Sequence, residues 1–280
     1  MIPKRIIQIW GGTAEIPLLM QSAMVNVRLL HPTFEYMLFD DAKIEAFLQE
    51  LCPQYYAAYH SYQLPIQKFD FFRYLAVHHY GGFYLDTDVF LARDLTALLD
   101  NGCVFPFEEL STMKFFWERY GMDWQIGNYA FGARPGHPFL AAVIDNCLRA
   151  KKDSTWLEPM LKGVPRPLRS PFVVFNTTGP GLVSRTFAEM REPIDDMRIL
   201  FPDDVCDTRK WHRFGGFGVH QMASSWRECE ALPLRRLRRA WDAWVRHRSL
   251  CASRLRGAKR SLETTLALGS GSTPSIRQHG

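Results

Sequence analysis

The stretch from Ile66 to Phe90 constrains this chain more than any other. Ile66 to Tyr80 has helical spacing, with no proline or glycine inside it. Gly81-Gly82 then stops the helix, and Phe83 to Val89 reads as a strand. Asp70 and Arg73 fall one turn apart on the helix. In the strand, Tyr84, Asp86 and Asp88 alternate with Phe83, Leu85, Thr87 and Val89, so the acids share one face and the apolar residues turn to the core. Two carboxylates on one face repel each other unless positive charge stands before them. A divalent cation that also grips a phosphate is the usual solution. The spacing therefore predicts a metal–diphosphate site at the end of a buried strand.

The rest of the chain alternates strand and helix patterns. Ile6 to Trp10 is a buried strand closed by Gly11-Gly12. Residues 17–30 are helical, Phe34 to Phe39 is a strand, and Asp40 or Asp41 caps a helix from Ala42 to Leu51. Strands are expected over Cys103 to Phe107, Tyr129 to Ala133 and Met197 to Phe201, with helices over Pro138 to Ala150 and Leu182 to Met190. Residues 151–172, rich in proline and basic residues, read as a long surface loop. Alternation of this kind makes the class α/β.

Composition excludes several functions. With 280 residues and 47% hydrophobic content, the chain can bury one large core. Its net charge of +5 is uneven: Arg227 to Arg260 holds eleven basic residues and three acids, leaving the remainder at −3. A mildly acidic globule with a basic C-terminal segment is not a nucleic-acid binder. The six cysteines include no C-x-x-C pair and read as reduced thiols. No stretch approaches the roughly 20 apolar residues of a spanning helix, and the N-terminal apolar run is too short for a signal peptide. The expected location is cytoplasmic, with a peripheral position on the inner face of the cytoplasmic membrane as the alternative to a free protein. Leu237, Trp241, Trp244, Val245, Cys251 and Leu255 recur at near-helical spacing among arginines. Such a helix, or pair of helices, either covers the sheet or lies on an anionic membrane through residues 235–260, and the arginine density favours the membrane. The expected division is a catalytic domain over 1–228, basic amphipathic helices over 229–266 and a disordered tail over 267–280.

Two further constellations bear on chemistry. Asp70 and Arg73 sit among Phe69, Phe71, Phe72, Tyr74 and Leu75, so the pair is expected to be at least partly buried. Burying an ion pair is costly unless it serves a site, and an aspartate accepting sugar hydroxyls is one such use. An exposed i, i+3 pair worth a few tenths of a kcal/mol is the plainer reading. Near the end, Gly218-Val-His-Gln-Met-Ala-Ser-Ser-Trp226 offers His220 as a third metal ligand, with Ser225 and Trp226 as donors to phosphate oxygens. A lone histidine of this kind is more often structural.

Taken in order, Ile2-Pro-Lys-Arg-Ile-Ile-Gln-Ile-Trp-Gly-Gly12, Asp70-x-x-Arg73, Gly81-Gly-Phe-Tyr84-Leu-Asp86-x-Asp88, Asn128-Tyr-Ala-Phe-Gly-Ala-Arg-Pro-Gly-His-Pro138, Thr178-Gly-Pro-Gly181 and the late His220 with Ser225-Trp226 resemble the glycosyltransferases of family 32. These are DXD-containing sugar transferases that include α-1,6-mannosyltransferases and bacterial capsule enzymes. A more distant resemblance is to the catalytic domain of the clostridial glucosylating toxins. It implies a GT-A fold with a Rossmann-like mixed central sheet flanked by helices. It further implies a Mn²⁺ or Mg²⁺ ion, a UDP- or GDP-sugar donor, retention of anomeric configuration, and a glycan, lipid-linked or protein acceptor, with bacterial surface polysaccharide synthesis as the setting. By position, Trp10 would stack on the base, Asp70 and Arg73 would hold sugar hydroxyls, and Tyr84 and Asp86 would lie near ribose and sugar. Asn128 would lie near the donor sugar, Ser225 and Trp226 would contact the diphosphate, and Asp88 and His220 would ligate the metal, with Asp86 beside them.

Two other functions fit parts of the pattern. Asp86-Thr-Asp88-Val also matches the nucleophile motif of haloacid-dehalogenase-like phosphatases, with Asp203-Asp204 as a later acidic motif. A non-catalytic protein that binds a nucleotide sugar is the third reading.

Overall fold

The computed structural model describes residues 1–12, 14–111, 113–190, 195–222 and 232–269. Its centre is a seven-stranded mixed sheet. β1 (Arg5–Ile9) lies between β2 (Glu35–Phe39) and β3 (Gly82–Leu85), all three parallel. β7 (Ala130–Ala133) pairs antiparallel with β3, and β5 (Cys103–Leu110) follows beside it. β5 also pairs with β6 (Trp124–Ile126) and, in parallel, with β8 (Met197–Leu200). A second sheet is small and antiparallel: β4 (Val89–Leu91), β10 (Gly218–His220) and β9 (Arg213–Phe214), in that order. The α/β class and the mixed sheet are as expected. The small sheet was not, because strands of two or three residues carry no periodic signal.

Alternation along the central strands sends their side chains to two cores. Ile7, Ile9 and Tyr84 join one core with Phe47 of α2 (Asp41–Glu50), Tyr59 of α3 (Pro53–His60) and Phe71, Phe72, Tyr74 and Leu75 of α4 (Pro65–Tyr80). α5 (Lys114–Tyr120), α6 (Pro138–Lys152) and α9 (Pro180–Glu189) close that side. Ile6, Phe83 and Leu85 join the other core, against Val27 of α1 (Leu18–Leu30) and the small sheet. Asp40, not Asp41, caps α2 by accepting from the Lys43 N–H.

α4 is the pivot of the molecule. Pro65 opens it at a position where the missing N–H costs nothing, and Gly81 closes it at φ 67°, a conformation natural only to glycine. Gly82 follows at φ 106°, and a Cβ there would stand 2.7 Å from the Arg5 carbonyl oxygen, so glycine lets β3 close on β1. Residues 70 to 77 of α4 are all buried, Asp70 and Arg73 included.

Residues 151–172 do not form a loop. Asp153 caps α7 (Ser154–Leu161), a short 3₁₀ turn spans Arg166–Leu168, and α8 (Arg169–Thr177) follows. The prolines and basic residues that suggested a loop lie around Trp156 and Met160, one turn apart and both buried. Their burial outweighs the composition. The basic C-terminal segment is one helix, α10 (Leu232–Gly269), not a pair. It packs on the globule: Leu250 lies against Phe107, Leu110 and Trp211, and the Arg246 guanidinium sits 5.8 Å from the Trp211 ring centre. Leu237 and Trp244 stay exposed. Among the described residues no helix is long and apolar enough to cross a membrane.

Candidate active site

The acidic pair is not on a strand. β3 ends at Leu85, and Asp86-Thr87-Asp88 form a turn closed by the Val89 N–H donating to the Asp86 carbonyl, 3.0 Å. The turn passes the chain from the large sheet to the small one. Strand alternation therefore does not bring Asp86 and Asp88 together; the turn does. Two backbone bonds brace it, from Asp86 N–H to the Tyr129 carbonyl and from Gln221 N–H to the Asp88 carbonyl.

β10 pairs with β4 and brings His220 opposite Val89. The His220 Nε2 atom is 3.3 Å from Asp88 Oδ1 and 3.9 Å from Asp86 Oδ2. One ligand atom from each of Asp86, Asp88 and His220 falls within 4.8 Å of the others. The imidazole is held flat against the Tyr129 ring, with centroids 4.5 Å apart and planes 15° apart. Two carboxylates and one imidazole, partly or fully buried, form a donor set that suits Mn²⁺ or Mg²⁺. The residues present thus fit the metal that the DXD pattern implies.

Behind this cluster Asp70 and Arg73 are each 4% exposed, so the exposed ion-pair reading is excluded. Asp70 Oδ1 meets Arg73 Nη2 at 2.9 Å and accepts from Asn128 Nδ2 at 3.2 Å. Asp70 Oδ2 accepts from Thr178 Oγ1 at 3.0 Å. Arg73 Nη1 donates to the Asn128 carbonyl at 2.8 Å and lies 3.4 Å from Asp86 Oδ1. Its guanidinium covers the Tyr84 ring, and the Tyr84 hydroxyl donates to Asp86 Oδ1. Tyr74 continues the chain of bonds from Asn128 Nδ2 to the Thr178 carbonyl. Burial pushes the Asp70 carboxyl up to about 6, against the pull of Arg73. Burial also raises Asp86, with Asp88 adding to it and Arg73 and His220 opposing. Arg73 resists the burial that disfavours its charge because Asp86, Tyr84 and Asp70 surround it.

A cleft of about 330 Å³ gathers these groups: Trp10, Asp70, Arg73, Tyr84, Asp86, Asp88, Asn128 and His220 all line it. Trp10 stands at its rim with Nε1 donating to the Ala14 carbonyl. Ser225 and Trp226 lie outside the described residues. Asp203 and Asp204 do not line the cleft, and the Asp203 side chain is 82% exposed and paired with Lys210, so the later acidic motif of a phosphatase is not assembled.

Sequence reasoning missed several lining residues. Tyr129, Glu108 and His212 all face the cleft. Tyr74 and Thr178 support it from behind. The available signals were an acid at the end of an apolar strand, for Glu108, and a tyrosine beside the singled-out Asn128.

Residues 17–105 match the family model described as a glycosyltransferase sugar-binding region containing a DXD motif. The chain carries a DXD glycosyltransferase region. The match runs from the start of α1 into β5, and so contains both the Asp70–Arg73 helix and the DXD turn. The chain is also similar to an inositol phosphoceramide mannosyltransferase of Schizosaccharomyces pombe, 36% identical over 148 residues, which are 53% of this chain and 38% of the relative. A mannosyl phosphorylinositol ceramide synthase of Saccharomyces cerevisiae is 27% identical over 236 residues, 82% of this chain and 54% of that one. The chain thus spans about half or less of the length of these curated relatives. Among solved structures, the PaToxG glycosyltransferase aligns with a TM-score of 0.45 at 15% identity, covering 66% of this chain and 68% of that one.

Proposed function

We propose that the DXD region works as a metal-dependent, retaining hexosyltransferase of GT-A type, with a UDP- or GDP-sugar as donor and mannose as the first candidate sugar. The observation that carries this reading is the convergence of Asp86, Asp88 and His220 beside the buried Asp70–Arg73 pair in one cleft. Asp88 and His220 would hold the ion, with Asp86 completing the set. A bound Mn²⁺ or Mg²⁺ supplies positive charge to the departing diphosphate. Asp70 would accept hydrogen bonds from donor-sugar hydroxyls, and Arg73 would keep its carboxylate aimed. Asn128 and Tyr84 would border the sugar, Trp10 would flank the base, and Ser225 and Trp226 would donate to the diphosphate. Charge developing on the leaving oxygen is the barrier to be lowered, and a fixed array of donors lowers it without reorganisation. No residue is assigned as a nucleophile: attack by the acceptor on the face from which the diphosphate leaves requires none.

The names of the mannosyltransferase relatives favour a lipid-linked polyol acceptor over a surface polysaccharide or a protein. Exposed Arg236, Arg239 and Arg248 beside Leu237 and Trp244 on α10 suit a peripheral position on an anionic membrane surface. The test is a donor screen. The protein is incubated with Mn²⁺ and a panel of UDP- and GDP-sugars, and released nucleotide is measured. Slow release from one donor, lost on chelation and in Asp88→Ala, is the expected result. Metal-dependent donor binding without turnover would instead identify a binding protein, and phosphate release from simple phosphoesters would return the phosphatase.

A further inference from the structure

Next to the cleft is a second cavity, of about 170 Å³, that the transferase reading leaves unused. Glu108, Pro171, Phe175, His212 and Met222 line both, so the two cavities adjoin across one set of side chains. The volume is that of about five or six waters, or of one hydroxylated six-membered ring. Its polar lining includes Glu108, Glu109, Gln125 and His212, with Arg238, Asp242 and Arg246 from α10.

The polar atoms of this wall are short of partners. Glu108 is 9% exposed, and its Oε1 stands 3.2 Å from His212 Nδ1, yet its Oε2 is buried with no hydrogen-bond partner. Gln125 is 2% exposed; its amide nitrogen donates to Ser111 Oγ, while its Oε1 is unpartnered. His212 Nε2 and the Tyr129 hydroxyl are likewise buried without partners. Each such group gives up solvation, at about 1–3 kcal/mol, unless a water or a ligand in the cavity restores the bond. His212 also holds a positive φ of 54°, rare outside glycine, pinned by the His220 N–H donating to its carbonyl. Gly127 makes room for the arrangement: a Cβ there would stand 2.4 Å from Glu108 Oε2 and 2.6 Å from the Tyr129 ring.

We propose that this cavity is the acceptor subsite, and that Glu108, Gln125 and His212 bind the hydroxyls of a polyol ring whose free hydroxyl projects into the cleft. The inference rests on the transferase reading. Unpartnered acceptors at Glu108 and Gln125 with an imidazole between cavity and cleft match the alternating donors and acceptors of a polyol, and match neither a hydrocarbon nor a bare anion. The donor groups lie on the opposite side of the shared wall, among Asp70, Arg73 and the acidic turn.

The experiment measures sugar transfer from the donor found in the screen to myo-inositol and to methyl α-mannoside, alongside Mn²⁺-dependent nucleotide binding. Gln125→Leu, at a residue that lines this cavity and not the cleft, is expected to keep nucleotide binding within about twofold and to raise the acceptor KM about tenfold or more, the cost of one hydrogen bond to a buried group, and Glu108→Gln is expected to raise the acceptor KM likewise. A loss of nucleotide binding equal to the loss of transfer would overturn the acceptor assignment and leave the transferase reading standing. Donor hydrolysis by the unsubstituted protein without transfer to either polyol would overturn the polyol assignment. An unsubstituted protein that neither binds nor hydrolyses any donor would remove the transferase reading itself.

Discussion

The two walls of the cleft are built on opposite principles. On the wall of Asp70, Arg73, Asn128, Tyr74 and Thr178, almost every polar atom has its partner; Arg73 Nε is the exception. On the wall of Glu108, His212 and Tyr129, and at Gln125 in the adjoining cavity, one polar atom after another is left without one. The first wall keeps its shape by its own bonds, so it is rigid before anything binds. The second depends on what fills the cavity, water or a ligand. A satisfied network gives geometry, and an unsatisfied one gives affinity and discrimination.

Substitutions on the two walls should therefore differ in kind. The largest effect is expected for Arg73→Met, which strands the Asp70 carboxylate and leaves Asp86 without its cation in the protein interior. It should cost roughly 3–5 kcal/mol of stability, read as a fall in the denaturation midpoint; a loss under 1 kcal/mol would mean that the pair is not holding the wall. Asp88→Ala comes next. It should leave the midpoint nearly unchanged and lower metal-dependent nucleotide release by roughly 100-fold or more, and unchanged release would remove Asp88 from the metal site. Gly127→Ala pushes on Glu108 and on the Tyr129 ring that backs His220, so it should weaken polyol transfer and metal-dependent nucleotide release alike, each about tenfold; unchanged rates would show that this wall yields to an added methyl group.

The smallest effect concerns pH. Burial raises the Glu109 carboxyl to about 7, with Glu108 adding to it and His212 opposing. A native acid that holds its proton above the unfolded value binds more protons than the unfolded chain, so stability falls as pH rises from about 4.5 to about 7. Glu109 is partly exposed, which screens the effect to on the order of 1 kcal/mol. Glu109→Gln should flatten that slope in thermal melts across the same range, and an unaltered slope would place its origin elsewhere.

Local pattern made half of this site readable. α4 and β3 were legible because a proline-to-glycine helix and an apolar strand carry strong, opposite periods, and the greasy surroundings of Asp70 and Arg73 forecast their burial. The DXD turn was misread because Tyr84-Leu-Asp-Thr-Asp-Val alternates as a strand does, and only the pairing of β4 with β10 reveals where the large sheet stops. Gln125 was invisible for another reason. Its significance lies in what it lacks, and a missing partner can be seen only after every neighbour is in place. Likewise α7 hid behind Pro159 and the basic residues around it until Trp156 and Met160 could be seen in the core.

The metal cluster draws its acids from a turn near residue 87 and its imidazole from a strand roughly 130 residues later. The large sheet needs nothing beyond β8 to pair all its strands, whereas the cluster is incomplete until β10 settles against β4. Contacts this distant along the chain form late. The large sheet can thus pair before the proposed site is complete, and on that reading metal-dependent nucleotide capture would report the last pairing step of folding.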